Sequence, residues 1–186
     1  MQSHIERKIK EIVSTGNHAF LLYDLNRMTQ QIDSLRSLPS NVEVYYAMKA
    51  NPHPQVVAHI LHHESIRGIE IASQGEAEKV LQHTSSLENV MYTSPGKRPD
   101  EIAFVMKKQI WLINIESLTE AYRIEEIAER PQRVLLRINT NREIHGAVKQ
   151  MSSATHPSPF GISEEHISST LKKIQELQRV NVKGFH

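Results

Sequence analysis

The stretch Tyr45-Tyr46-Ala47-Met48-Lys49-Ala50-Asn51-Pro52 places an amine at the end of a run, Val42 to Met48, that reads as a buried strand. Burying an ammonium without a partner is expensive. Lys49 therefore either snorkels out of the strand end into solvent or serves as a desolvated, nucleophilic amine that can form a Schiff base with a carbonyl compound. Other chemistry-bearing side chains also fall where strands should end: Glu70 with Ser73, Arg137, and His186. Each has a plainer reading. Ser73 with Glu76, and Ser117 with Glu120, have the spacing of a capping box. Arg137 can simply pair with a carboxylate on a neighbouring strand end. His59, His62 and His63 share one helical face, with Glu64 next. That spacing can hold a metal, but without an HExxH pattern the expectation is a solvated histidine face and no metal site. Tyr45, Tyr46 and Trp111 read as core aromatics.

The elements that must position these residues alternate along the chain. Ile5 to Val13 reads as a short helix that stops at Ser14-Thr15-Gly16-Asn17, and Ala19 to Tyr23 as a strand followed by helical periodicity from Leu25 to Leu38. After the strand that carries Lys49, helices are expected over Pro54–His63, Gly75–Gln82, Pro99–Lys107, Leu118–Glu129 and Glu164–Leu177. Strands are expected over Gly68–Ala72, Val90–Thr93, Ile110–Asn114, Val134–Ile138 and Val182–His186. β units recurring at about 20-residue spacing, each followed by a helix, describe a parallel α/β protein. No GxGxxG turn follows a strand, which argues against a dinucleotide-binding sheet. The better fit is a (β/α)8 TIM-barrel-type domain, whose active sites lie at strand C-termini. Only about six barrel strands are counted, so the barrel is expected to be incomplete. The expected division is 1–40, a helix, a strand and a helix, and 41–186, the partial barrel. The connection from Asn139 to Phe160 is longer than an ordinary βα loop.

Composition sets outer limits. The chain has 186 residues, 39% of them hydrophobic and 23% charged, with a formal net charge of +1. These values suit a globular domain and give no electrostatic reason to expect nucleic acid or an anionic membrane as partner. There are no cysteines, which excludes a disulfide framework and a thiolate metal site. The first residues are charged and amphipathic, with no apolar signal core, so a cytoplasmic protein is expected.

Taken together, the motifs resemble the pyridoxal-phosphate-dependent decarboxylases of the alanine-racemase-like barrel type, which act on ornithine, arginine, diaminopimelate and related amino acids. Tyr46-Ala47-Met48-Lys49-Ala50-Asn51 resembles the cofactor-lysine motif. Gly68-Ile69-Glu70-Ile71-Ala72-Ser73-Gln74-Gly75-Glu76 resembles the second motif, in which aspartate usually stands at the position of Glu70. Pro95-Gly96-Lys97, Asn114-Ile115-Glu116-Ser117, Leu136-Arg137-Ile138-Asn139 and Phe160-Gly161-Ile162 follow in order. Met48 with Ala72-Ser73-Gln74-Gly75-Glu76 looks nearest to decarboxylases of siderophore assembly that act on citrate-linked diamino acids, and diaminopimelate decarboxylase is the alternative.

The resemblance implies that Lys49 carries pyridoxal 5'-phosphate and that Ala47 lets its ring lie close. Glu70 would sit near the cofactor's imine, and Arg137 would contact a polar group of the cofactor or an acid in the site. Glu70 is one methylene longer than the usual aspartate, so its carboxylate need not sit in the same place. Pro159 stands where many relatives have a lysine. By the same resemblance the chain is the N-terminal part of a homodimeric decarboxylase. The phosphate loop, the acid that pairs with the ring nitrogen, and the C-terminal β-domain would lie beyond His186, and Ala19–Tyr23 would be an orphan strand. Alone, such a chain is expected to be inactive or nearly so. The reading from a different class is a non-catalytic pyridoxal-phosphate-binding or partner module.

Overall fold

The computed structural model describes residues 2–16, 19–140 and 159–186. Six strands form one parallel sheet: β1 (Tyr45–Ala47), β2 (Gly68–Ile71), β3 (Val90–Tyr92), β4 (Leu112–Ile115), β5 (Gln132–Leu136) and β8 (Val180–Phe185). A separate two-stranded piece pairs β6 (Ile138–Asn139) with β7 (Ile162–Ser163). The order in the large sheet is β1-β2-β3-β4-β5-β8, with every neighbouring pair parallel. Within this sheet the strands lie side by side in the order in which they occur in the chain, with no reversal of that order across the sheet. That is the wall of a β/α barrel, not a doubly wound sheet with a switch point.

Successive side chains on a strand point to opposite faces, and the register divides the sheet cleanly. One face carries Ile69 and Ile71, Val90 and Tyr92, Ile113 and Ile115, and Val134 and Leu136. All are buried in the main core cluster with Val57, Ala77, Val80, Ile102, Val105, Ala121, Ile124 and Ile174 from the helices. These helices are α3 (Pro54–Leu61), α4 (Gln74–Leu81), α5 (Pro99–Lys107), α6 (Leu118–Ile127) and α7 (Ile167–Gln175). Full burial of each such isoleucine is worth about 1.5–3 kcal/mol. This one-sided core is the main force holding the wall together. The opposite, inner face carries Ala47, Glu70, Met91, Leu112, Asn114, Leu135 and Gly184 in register.

Two glycines are set by close approach. A Cβ on Gly68 would lie 1.8 Å from the Asn89 carbonyl oxygen and 2.9 Å from the Tyr45 ring. Gly161 has φ +82, and a Cβ there would lie 2.9 Å from the Arg137 carbonyl oxygen. Both serines cap their helices, but each glutamate reaches back one residue further than in a capping box, to the N–H before the cap. The Ser73 hydroxyl accepts from the Glu76 N–H while Glu76 accepts from the Ala72 N–H, and Ser117, Glu120 and the Glu116 N–H repeat the arrangement at α6. The plainer reading of Ser73 as a helix cap is thus what the structure shows.

The N-terminal segment departs from expectation in one respect. α1 (Gln2–Ser14) and α2 (Leu25–Asp33) form, and Asp24 caps α2 by accepting from the Asn26 and Arg27 N–H groups. Ala19–Tyr23 forms no strand and is exposed, with Leu21 at 82%. Its apolar run lacks a neighbouring strand among the described residues, and without ladder hydrogen bonds the backbone has no reason to be regular. β1 likewise covers only Tyr45–Ala47 of the expected Val42–Met48, because in the described sheet it is an edge paired on one side. α2 packs onto α3 and β1: Ile32 clusters with Val56 and Ile60, flanked by Met28, Leu35, Tyr46 and Ile66. Most of the expected Asn139–Phe160 connection lies outside the described residues.

Candidate functional site at the strand ends

β1 ends in a single 3-10 turn, Met48–Ala50, closed by the Asn51 N–H donating to the Met48 carbonyl at 3.1 Å. Pro54 then starts α3 at its first position, where a missing N–H costs nothing. Met48 is buried in the helix-side core, and Lys49, one residue on, is exposed. The Tyr46 hydroxyl donates to the Asn51 carbonyl at 3.2 Å and pins the turn. The desolvated amine expected from sequence is therefore not found: nothing among the described residues buries Lys49, because β1 is an open edge at that point.

Ala47 and Glu70 are register partners on the inner face. Glu70 accepts a 2.8 Å hydrogen bond from the Thr93 hydroxyl, and Thr93 is tied to β2 through its N–H, which donates to the Ile71 carbonyl at 2.9 Å. Two strands along, Arg137 Nη1 donates to Glu116 Oε1 at 3.0 Å and the guanidinium lies 5.0 Å from the Phe160 ring centroid. The other Glu116 oxygen accepts from the Gly161 N–H at 2.8 Å, and the Ile162 N–H donates to the Arg137 carbonyl at 2.7 Å. Arg137 thus pairs with a carboxylate at a neighbouring strand end, the plainer of its two readings.

Asn114 sits between these two groups on the inner face. It is fully buried, and neither its Oδ1 nor its Nδ2 has a partner among the described residues. On the helix side, Lys97 and Glu120 form a buried ion pair at 3.1 Å. Lys97 Nζ also donates to the Ser94 carbonyl, at 2.5 Å, and lies 5.7 Å from the Tyr92 ring centroid. Burial pulls the Lys97 amine below its usual range, against the opposing pull of Glu120 and Glu116.

His59 on α3 and His62 and His63 just beyond its end are engaged separately. His59 Nε2 meets the Thr29 hydroxyl at 2.9 Å, and His62 Nδ1 meets the Ala58 carbonyl at 2.6 Å. His63 Nδ1 accepts from the Ser65 N–H while its Nε2 lies 3.5 Å from Asp33. Among the described residues no group of three or more histidine, aspartate or glutamate side chains is placed to hold a metal.

Fold and placement together define a class: a β/α-barrel domain with an amine, two carboxylates, an amide and a guanidinium on or just beyond the C-terminal halves of β1, β2, β4 and β5. Comparison with known proteins narrows it. Residues 24–186 match the family described as "Pyridoxal-dependent decarboxylase, pyridoxal binding domain". The chain belongs to that family. It is 31% identical over 169 residues to 2-[(L-alanin-3-ylcarbamoyl)methyl]-2-hydroxybutanedioate decarboxylase of Staphylococcus aureus, covering 89% of this chain and 41% of that protein. With L-glutamyl-[BtrI acyl-carrier protein] decarboxylase of Niallia circulans the identity is 29%, over 90% of this chain and 39% of the relative. The chain thus spans about two fifths of the length of these relatives. In fold it is similar to diaminopimelate decarboxylase from Helicobacter pylori complexed with L-lysine (TM-score 0.81, 24% identity, 92% of this chain and 44% of that one). It is also similar to lysine/ornithine decarboxylase complexed with putrescine from Vibrio vulnificus (TM-score 0.76, 23% identity, 96% and 44%).

The residues present suit a pyridoxal group. Lys49 offers an accessible amine, Ala47 leaves room on the inner face, and the orphaned Asn114 amide on the same face marks a polar demand that the described residues do not meet. Sequence reasoning gave no role to Thr93, and quoted Lys97, Asn114 and Glu116 only as parts of motifs. Thr93 and Glu116 were within reach of a period-2 count, since each continues the inner face of its strand. The burial of Lys97 left no such trace.

Proposed function

We propose that this chain is the lysine-bearing part of a pyridoxal-phosphate-dependent amino-acid decarboxylase, with Lys49 as the point of covalent attachment. The observation that carries the reading is the match of residues 24–186 to the pyridoxal-binding domain family in a fold that sets Lys49 at the end of β1, beside the Ala47–Glu70 pair. When bound, the cofactor supplies a carbonyl for amines and an electron sink for the pair released as CO2 leaves. The chain's own residues do the rest. Lys49 supplies the amine and later accepts or returns a proton at Nζ. Ala47 would leave room for the group, and Glu70, held by Thr93, would present a negative charge to it. Arg137, oriented by Glu116, presents a cation to an anionic group on the ligand.

The substrate class we favour is a diamino acid or its citrate conjugate, as in siderophore assembly. Its support is the 31% identity to the Staphylococcus aureus enzyme, whose name describes an amino acid joined by an amide to a hydroxybutanedioate. The second reading, diaminopimelate decarboxylation, is favoured by the reach of that similarity, 27% identity over 95% of this chain for the Helicobacter pylori enzyme. We read the whole protein as a cytoplasmic homodimer and the present chain as nearly inactive by itself. The test is the visible spectrum of the chain with pyridoxal phosphate, followed by borohydride reduction and peptide mapping. We expect a pyridoxyl label on the Lys49 peptide that is lost in Lys49→Ala. A label scattered over surface lysines, or unchanged in Lys49→Ala, would overturn the assignment.

A further inference from the structure

We propose that Lys97 is a positioning residue for the strand-end site, acting through Glu120 to fix the Glu116 carboxylate and thereby Arg137 and the Gly161 amide. The inference rests on the reading of the strand ends as the ligand site. Lys97 itself lies in the connection between β3 and α5, its side chain fully buried beside Tyr92, which faces the helices.

The chain of contacts is continuous. Lys97 Nζ donates to both Glu120 oxygens, at 3.2 and 3.1 Å, and to the Ser94 carbonyl, so its three donors are all used. Glu120 Oε2 accepts in addition the Glu116 N–H at 2.8 Å. That bond fixes the backbone of Glu116, one residue beyond the end of β4. The Glu116 side chain, 9% exposed, then divides its two oxygens between Arg137 Nη1 and the Gly161 N–H. A carboxylate with both oxygens committed has little freedom of its own, so its position follows the backbone that carries it. Without Lys97, Glu120 would be a buried carboxylate with no cation and would turn toward solvent, releasing the Glu116 N–H.

Electrostatics link the same residues. Desolvation is the largest influence on the Lys97 amine, and after Glu120 the charges that act on it are those of Glu116 and Arg137. In the series Lys97, Glu120, Glu116 and Arg137 two cations flank two carboxylates, and the four together are neutral. A buried lysine needed only to hold a helix end would require Glu120 alone. Here its carboxylate partner also holds the backbone of the residue that grips the site arginine.

The test uses two variants of the chain. Lys97→Met removes the cation but leaves Glu120 buried and charged, so it can fail to fold. Lys97→Met combined with Glu120→Leu removes both charges, leaving an apolar pair of similar size, and removes the oxygen that accepts from the Glu116 N–H. Amide hydrogen exchange of the Glu116 and Gly161 N–H groups is followed by NMR, beside exchange in α3 and α4 as an internal standard, and pyridoxal phosphate uptake is titrated separately. In the folded double variant we expect exchange at Gly161 and Glu116 to rise at least about tenfold while α3 and α4 keep their protection. We also expect cofactor uptake to weaken severalfold. Unchanged exchange at Gly161, or an equal rise throughout the chain, would overturn the positioning role and leave Lys97 a structural pair. If the unsubstituted chain takes up no pyridoxal phosphate, the functional reading fails, and the exchange measurement still decides the positioning role.

Discussion

Asn114 is the position where stability and function should pull apart. Its amide is fully buried on the inner face and makes no hydrogen bond at either end among the described residues. A buried polar group left unsatisfied costs about 1–3 kcal/mol relative to a satisfied or apolar one. Leucine keeps the branch at the γ carbon and removes that cost. Two methyl groups in place of an oxygen and an NH2 add volume, and overpacking in a closed site costs about 1–3 kcal/mol when nothing yields. Neighbours on this face give some freedom: Leu135, the register partner of Asn114, is only partly buried. Asn114→Leu is therefore expected to be as stable as the parent chain, or more stable by up to about 2 kcal/mol. Urea unfolding measures this directly, with the m value checked so that a shift in midpoint reports stability and not a change in compactness. Pyridoxal phosphate uptake, measured on the same samples, should fall. A loss of more than about 2 kcal/mol would refute the reasoning, because it would mean that the amide is satisfied in solution and anchors the fold. Gained stability with undiminished uptake would remove Asn114 from the ligand site.

The other predictions concern the sheet. Burial pushes the Tyr92 phenol up to about 12, with Glu101 adding to the shift. The unfolded chain gives up this proton near 10, so between about pH 10 and 12 the folded state binds more protons and stability falls as pH rises, by on the order of 2–3 kcal/mol. Lys97 acts in the opposite sense: its amine is lowered, so the unfolded chain binds more protons up to its ordinary titration and stability rises with pH. Urea melts of Tyr92→Phe and the parent isolate the phenol: their stability difference should be flat to about pH 10 and then shift in favour of the variant. Gly68→Ala places a carbon 1.8 Å from the Asn89 carbonyl oxygen. Backbone must move for it to fit, so a loss beyond about 3 kcal/mol is expected by denaturant titration, whereas a loss under about 1 kcal/mol would show that the β2–β3 connection yields freely.

How much of this was legible in the sequence follows from where each property resides. The barrel wall was legible because Ile69 and Ile71, Ile113 and Ile115, and Val134 and Leu136 are strand-forming residues at period 2, each pair backed by a helix of matching period. Ser73 and Ser117 were legible as caps because a capping-box spacing is local. Ala19–Tyr23 was misjudged because five apolar residues do not make a strand unless a second strand comes alongside, and that depends on chain far away. Lys49 was placed correctly at a strand end, but its exposure depends on what stands on the open side of β1. The bonds Glu70–Thr93 and Arg137–Glu116 depend on register between strands that are about 20 residues apart in sequence. No pattern within one strand encodes that register. The burial of Lys97 was least accessible, since lysine is among the residues least expected to be fully buried.

The pairing of charges then says which residues remain for a ligand. Among Lys49, Glu70, Lys97, Glu116, Glu120 and Arg137, Arg137 is taken by Glu116 and Lys97 by Glu120. These pairs tie together the ends of β3, β4 and β5 and the start of α6, and each is already neutral. Lys49 and Glu70 have no ion-pair partner among the described residues, and Glu70 has only the Thr93 hydroxyl. They belong to adjacent strands whose register sets Ala47 directly beside Glu70. In the proposed site a ligand would therefore meet, among the described residues, a cation and a carboxylate that have no ion-pair partner, next to the small Ala47 side chain. That distribution favours a flat ligand that carries an electrophilic carbonyl toward Lys49 and positive character toward Glu70. It gives Arg137 a secondary part, since any anion that engages it must share it with Glu116.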